Sequence, residues 1–208
     1  MSEDRERASG TGLRAAGVAR TRAAILAAAR ERLIADGYHR LSLERVAVDA
    51  SVTRVTIYRQ FESKLGLLDA VAGDLARRAD LVAGIRTAGD MADPAAACRA
   101  MVAELCRFWS TDPDLFRRLI SLAAVDPEAH RVLSSREQWR YEQVAVFVRR
   151  LAAGGRLREG VDTDRAVAAI GAVTGFPACD EMATRLRCGL DQLDPLLVTL
   201  LAGVADLG

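Results

Sequence analysis

The chain has 208 residues, half of them hydrophobic, with 29 basic and 28 acidic side chains and a net charge of +1. That is enough apolar material for a sizeable core in one domain or two small ones, and it excludes a disulfide-stapled mini-protein and a uniformly basic nucleic-acid coat. The charge is not evenly spread: Met1 to Lys64 carries 12 basic against 8 acidic residues, a local +4 that leaves the rest at −3, so a polyanion would suit the front of the chain alone.

Residues 1–19 mix Arg, Glu, Ser and Gly without periodicity and are expected to form a flexible basic arm. They contain no apolar run of a secretory signal. Helical spacing starts at Arg20, with Ile25, Leu26, Ala29 and Leu33 on one face, and Asp36-Gly37 ends it, which predicts a first helix over 20–36. Ser42 is placed to cap a short second helix reaching Asp49, with Leu43, Val46 and Ala47 inward. Ala50-Ser51-Val52 has room only for a tight turn. Thr53 then caps a third helix to about Gln60, with Ile57 and Phe61 inward. Two short helices joined by a three-residue turn make a helix-turn-helix, and residues 20–66 are assigned to that domain. Ser63 opens a connector helix over 63–83.

Gly84, Gly89, Asp93 and Pro94 break the pattern, so a domain boundary is expected there, with residues 84–208 forming a second domain. Helices are expected over 94–110, 113–124, 127–153, 163–176 and 194–206, their starts marked by Pro94, Pro113, Pro127, Asp162 and Pro195. No segment alternates in the manner of a strand, so the expected fold class is all-α.

The four cysteines, Cys98, Cys106, Cys179 and Cys188, have no zinc-site spacing and read as reduced core thiols. Cys98 and Cys106 lie two helical turns apart, too far for a disulfide without rearrangement. The two histidines, His39 and His130, come with no nucleophile elbow, zinc motif or phosphate loop, so an enzyme is not expected and neither is a cofactor or metal. Ala166–Phe176 and Leu196–Ala205 are well short of the ~20 residues a membrane helix needs, and a cytoplasmic protein is expected.

The stretch from Arg22 to Val71 resembles the TetR family of bacterial transcription regulators. The resemblance lies in Asp36-Gly37-Tyr38, Leu41-Ser42-Leu43, the run Val52-Thr53-Arg54-Val55-Thr56-Ile57-Tyr58-Arg59-Gln60-Phe61, then Ser63-Lys64 and Leu67-Leu68. It covers a quarter of the chain. Three positions depart from the family pattern: Ser51 stands where Gly is usual, Gln60 where His is common, and Leu65-Gly66 where an acidic pair is usual.

The front of a recognition helix must offer short or polar side chains to the major groove. Arg54 can fork onto a guanine, while Val55 and the Thr56 methyl can meet a thymine methyl. A solvated or phosphate-bound Arg54 stays open, as does a core position for Tyr58; Glu44 and Arg45 lie on the second helix where the resemblance implies that some relatives touch the groove, and a plain local ion pair fits them equally well. The resemblance implies phosphate contacts from Ser42, Tyr58, Gln60 and Lys64, the chain's lone lysine; Thr53 opens the DNA-facing helix, and of the arginines at 5, 7, 14, 20 and 22, which also fit an ordinary disordered tail, Arg22 is the one placed to touch phosphate.

The resemblance also implies a homodimer through helices 163–176 and 194–206, hence a palindromic double-stranded DNA operator and, most simply, repression. It further implies a small apolar ligand among the middle helices, for which Met101, Cys106, Phe108, Trp109, Phe116, Trp139, Phe147 and Phe176 are the candidate lining and Arg107, His130 and Arg140 the polar candidates; the same large residues at helical spacing fit a plain core. The alternative in another class is a helical protein-interaction adaptor without specific DNA binding.

Overall fold

The computed structural model describes the backbone of residues 2–208 and the side chains from residue 15 onward. Its helices are α1 (Ser2–Asp36), α2 (Leu43–Asp49), α3 (Arg54–Phe61), α4 (Lys64–Arg78), α5 (Leu81–Gly89), α6 (Pro94–Ser110), α7 (Pro113–Ala123), α8 (Pro127–Ala153), α9 (Thr163–Val173), α10 (Phe176–Leu186) and α11 (Asp194–Leu201), with a 3-10 turn at Leu190–Gln192. The fold is all-α: among the described residues the sole β-type pairing is an isolated bridge between Leu157 and Ala205. No described helix is long and apolar enough to cross a membrane.

The chain divides into two compact units, residues 1–74 and 75–208, with the division within α4; the boundary expected from the sequence lies further along, at Gly84–Pro94. In the first unit α1 buries Ile25, Leu26, Ala29 and Leu33, and the short helices add Leu43, Val46, Ile57 and Phe61. The side chain of Arg32 donates twice to Asp49, at 2.7 and 3.1 Å, tying α1 to α2. The flexible arm expected over 1–19 falls largely on side chains outside the described residues. Its backbone is helical instead from Ser2 onward, and Ala15, Ala16 and Ala19 extend the helix from its buried face.

The turn between α2 and α3 resolves the question raised by Ser51. Val52 N–H reaches back to the Ala47 carbonyl at 2.9 Å and Ser51 N–H to Val48 at 3.0 Å, a Schellman closure that puts Ser51 in the left-handed region at φ 52°. A serine tolerates that backbone at a cost that glycine does not have. Ser51→Gly is expected to raise stability by about 1 kcal/mol, read in urea unfolding; no change or a loss would mean that the serine hydroxyl has a compensating partner.

In the second unit aspartates open the helices. Asp93, Asp112 and Asp126 each accept from backbone N–H groups of the following turn and are each followed by proline, and Asp162 caps α9 by accepting from Arg165 N–H at 2.8 Å. These caps explain why α6, α7 and α8 match their expected ranges within a residue. Elsewhere the expectations need correction. The connector expected to reach residue 83 stops at Arg78, where Asp80 turns left-handed at φ 52°, ψ 33°. Residues 81–89 are helical despite two glycines, because Leu81, Ile85 and Ala88 form a buried stripe. Gly84 lets the two helices approach closely: a Cβ there would overlap the Glu104 side chain on α6 unless that side chain moved aside. The helix expected over 163–176 ends at Val173, and a separate α10 follows with proline in its first turn. The helix expected over 194–206 ends at Leu201; the chain then pairs with residues 156–158, through Arg158 N–H to Val204 and Asp206 N–H to Arg156, at 3.0 and 2.7 Å.

Candidate nucleic-acid interface

Helix α3 starts cleanly because Thr53 has extended backbone (φ −88°, ψ 153°) and its hydroxyl accepts from Thr56 N–H at 3.2 Å. Ile57 and Phe61 point inward and are buried, so the helix turns Arg54, Val55, Tyr58 and Arg59 outward. Val55 is 75% exposed and Tyr58 40%, which removes the core position left open for the tyrosine. Thr56 is half-buried, with its hydroxyl 2.9 Å from that of Thr53.

Ser42 caps α2: its hydroxyl accepts from Arg45 N–H at 3.4 Å and donates to Glu44 at 2.8 Å. The other Glu44 oxygen pairs with Arg54, whose second terminal nitrogen donates to the Tyr58 hydroxyl at 3.0 Å while the guanidinium carbon sits 5.1 Å from the Tyr58 ring centre. Ser42, Glu44, Arg54 and Tyr58 thus form one continuous row across the exposed ends of α2 and α3. Glu44 lies below the ordinary carboxylate range because its own backbone N–H at the helix start, then Ser42, then Arg54 favour the anion. The hydrogen bond to Tyr58 and the Glu44 charge push Arg54 up.

Lys64, the first residue of α4, donates to the His39 carbonyl at 3.4 Å and lies 4.5 Å from the Tyr38 ring centre. Arg22 on α1 lies over the Phe61 ring at 4.6 Å, which holds an exposed cation beside the end of α3. Gln60 is half-buried and its Oε1 is shut from solvent without a partner, so its amide nitrogen is the part suited to an anion. The nine residues expected to meet DNA therefore sort into a central row of Ser42, Arg54 and Tyr58, the helix front of Thr53, Val55 and Thr56, and a flank of Arg22, Gln60 and Lys64. The hub role of Glu44 is what the sequence left open, since nothing in the residue order tells an i,i+10 contact across a turn from a solvated carboxylate.

The candidate ligand-lining residues occupy the second unit. Phe108, Trp109, Phe116 and Phe176 pack ring on ring, with centroids 4.8–5.6 Å apart, and Trp109 Nε1–H donates to the Thr174 carbonyl at 2.9 Å. Met101, Cys106 and Phe147 are buried and Trp139 is half-buried. Sequence reasoning weighed Cys98 against Cys106, but the thiol that meets Cys106 is Cys179 on α10; this contact and burial push the Cys106 thiol well above its ordinary range. A cavity of about 390 Å³ lies instead between α5 and α6, lined by Asp80, Ala83, Gly84, Thr87, Ala88, Ala100, Glu104 and Arg107, none of them among the eight apolar candidates. Among the described residues no cluster of His, Cys, Asp and Glu has the makings of a metal site.

Residues 25–71, which contain the helix-turn-helix, match the family model of bacterial regulatory proteins, tetR family. No curated protein matches the sequence. Solved structures match over most of the chain. A protein from Rhodococcus sp. assigned to the TetR family of transcriptional regulators shares 16% identity, with 90% of this chain and 100% of that one covered and a TM-score of 0.72. The transcriptional regulator FadR from Bacillus subtilis, solved with stearoyl-CoA, shares 17% identity over 86% and 97% of the two chains, at a TM-score of 0.72. A protein from Saccharomonospora viridis assigned as a transcriptional regulator and solved with choline shares 16% over 89% and 97%, at 0.66. The N-terminal unit therefore carries the TetR-family helix-turn-helix, and the chain as a whole has the fold of the TetR-family transcription regulators.

Proposed function

We propose that the protein is a ligand-responsive transcriptional repressor that binds a palindromic operator as a homodimer. The observation that carries this reading is the exposed row of Ser42, Arg54 and Tyr58 with Val55 beside it: polar forks, a phenol and a methyl-bearing side chain at the front of a short helix, the chemistry a major groove reads. Helix starts and Lys64 supply the flanking phosphate contacts.

A second copy has a surface to cover. On the C-terminal helices Ile170, Leu197 and Leu201 are buried within their own chain, whereas Leu186 and Leu200 are 58% and 50% exposed and Val167, Val173 and Leu196 are half-buried. The exposed Leu200 on α11 and Leu186 at the end of α10, with the half-buried valines of α9, support dimerisation through the C-terminal helices, α9 and α11 among them.

Proteins of the same fold have been solved with stearoyl-CoA and with choline, so the fold admits both a long acyl chain and a small cation. In this chain an apolar ligand must part the cluster of Phe108, Trp109, Phe116 and Phe176. It then acts by differential affinity for the DNA-binding and non-binding states, the sole way a ligand moves such an equilibrium.

Nuclease footprinting of the region upstream of the protein's own gene tests the reading. Two protected half-sites related by a twofold, with centres roughly 10 base pairs or a multiple apart, are expected. A single protected half-site would argue against the dimer, and uniform protection would argue against an operator.

A further inference from the structure

We propose that Glu44 is a specificity-determining residue of the DNA interface: its carboxylate accepts from the exocyclic amino group of a cytosine in the major groove while it holds the Arg54 fork toward a neighbouring guanine. This rests on the DNA-binding reading above.

The pair is too wet to be a stability device. The side chains of Arg54 and Glu44 are 53% and 57% exposed, and an ion pair between groups so open to water contributes little to folding. Yet the contact is built with care. One Glu44 oxygen is taken by Ser42 and the other by Arg54, and Arg54 is in turn stacked on Tyr58 and bonded to its hydroxyl. Three of the four members of this row are the candidate DNA contacts, so the carboxylate stands in the middle of the surface that meets the polyanion.

A carboxylate there repels phosphate and weakens sequence-independent binding. It is compatible with a close complex where it meets a donor. The donors in the major groove are the amino groups of cytosine and adenine, and a carboxylate pairs with the cytosine N4 group, whereas arginine forks onto O6 and N7 of guanine. Those guanine acceptors and that cytosine donor lie side by side along the groove. A carboxylate already locked to a guanidinium offers the complementary set, one acceptor beside a row of donors. Arg54 keeps enough N–H groups for the base, since a guanidinium has five and Glu44 and Tyr58 engage one terminal nitrogen each.

The test uses the full-length protein and its E44A and E44Q variants against a library of duplexes randomised over a half-site, with enriched sequences read out and single-base variants of the winner titrated by anisotropy. The native protein is expected to enrich a cytosine at a defined column next to the guanine read by Arg54. E44A should lose on the order of tenfold preference at that column, soften the adjacent guanine column that Arg54 reads, keep the others, and bind unrelated duplex several-fold more tightly. E44Q, which can donate as well as accept, should broaden the column beyond cytosine. Unchanged column preferences in E44A overturn the assignment, including the case in which only the melting temperature falls, which would mark Glu44 as a helix-start carboxylate. Absence of any enriched half-site for the native protein overturns the DNA-binding reading and this assignment with it.

Discussion

Gly66→Ala is expected to cost the N-terminal unit about 3 kcal/mol and to abolish tight DNA binding. The chain doubles back sharply between α3 and α4: Glu62 sits at φ 64°, Ser63 N–H closes on the Phe61 carbonyl at 2.6 Å, and the Ser63 hydroxyl accepts from Gly66 N–H at 2.9 Å. That brings the backbone of Gly66 against the end of α3, and a Cβ on residue 66 would overlap the Phe61 carbonyl oxygen and lie 3.2 Å from its carbon. Neither atom can move aside without opening the turn, in contrast to Gly84, where the clashing group is the end of a flexible glutamate. The resemblance marked Leu65-Gly66 as a departure, and for Gly66 the geometry supplies a reason. Urea unfolding followed by far-UV circular dichroism checks the loss; a G66A variant with native stability and native affinity would show that α4 can start one step further from α3.

The second large effect is expected in the core of the C-terminal unit. Arg140 is 4% exposed, donates from Nη1 to the Thr174 hydroxyl and from Nε to Glu137, both at 3.0 Å, and lies 4.7 Å from the Tyr141 ring centre. Thr174 passes the contact on, donating to the Ile170 carbonyl at 2.7 Å, while its own carbonyl accepts from Trp109. Glu137 alone balances this charge among those contacts, yet its own side chain is half in water. Glu137→Ala is expected to cost about 2 to 3 kcal/mol, somewhat less than breaking a fully buried pair, because it strands a cation. E137A combined with R140M should recover most of that loss, since an apolar side chain of similar length needs no partner there. Tryptophan-monitored unfolding of the three proteins decides the matter. A harmless E137A, or a double variant weaker than the single one, would show that Arg140 is balanced from elsewhere.

What the sequence reveals about the fold depends on whether the signal is local. The Asp-Pro pairs at 93, 112 and 126 act within one turn, so the starts of α6, α7 and α8 can be read directly from residue order. Helices α5 and α10 escape such a reading, because glycines and a proline mark them as breaks, while their buried faces become visible only against α6 and its neighbours. The DNA-facing residues are similarly legible as a run, yet their arrangement is not: the placement of Glu44 between Ser42 and Arg54 depends on a left-handed serine in the turn. For the aromatic residues of the second unit, helical spacing identifies burial correctly but cannot tell rings that pack on one another from rings that line a space. The cavity beside Glu104 and Arg107 depends on how α5 meets α6, a tertiary fact with no local signature.

The most direct test of sequence-specific DNA binding through α3 is a fluorescence anisotropy titration against duplexes from the region upstream of the protein's own gene. It should be run at two salt concentrations with the native protein and an R54A/Y58A double variant. Tight, steeply salt-dependent binding that prefers a palindrome, and weakens roughly a hundredfold in the variant, is the expected result. Equal and weak binding of both proteins to every duplex would contradict it and bring a helical adaptor forward in its place.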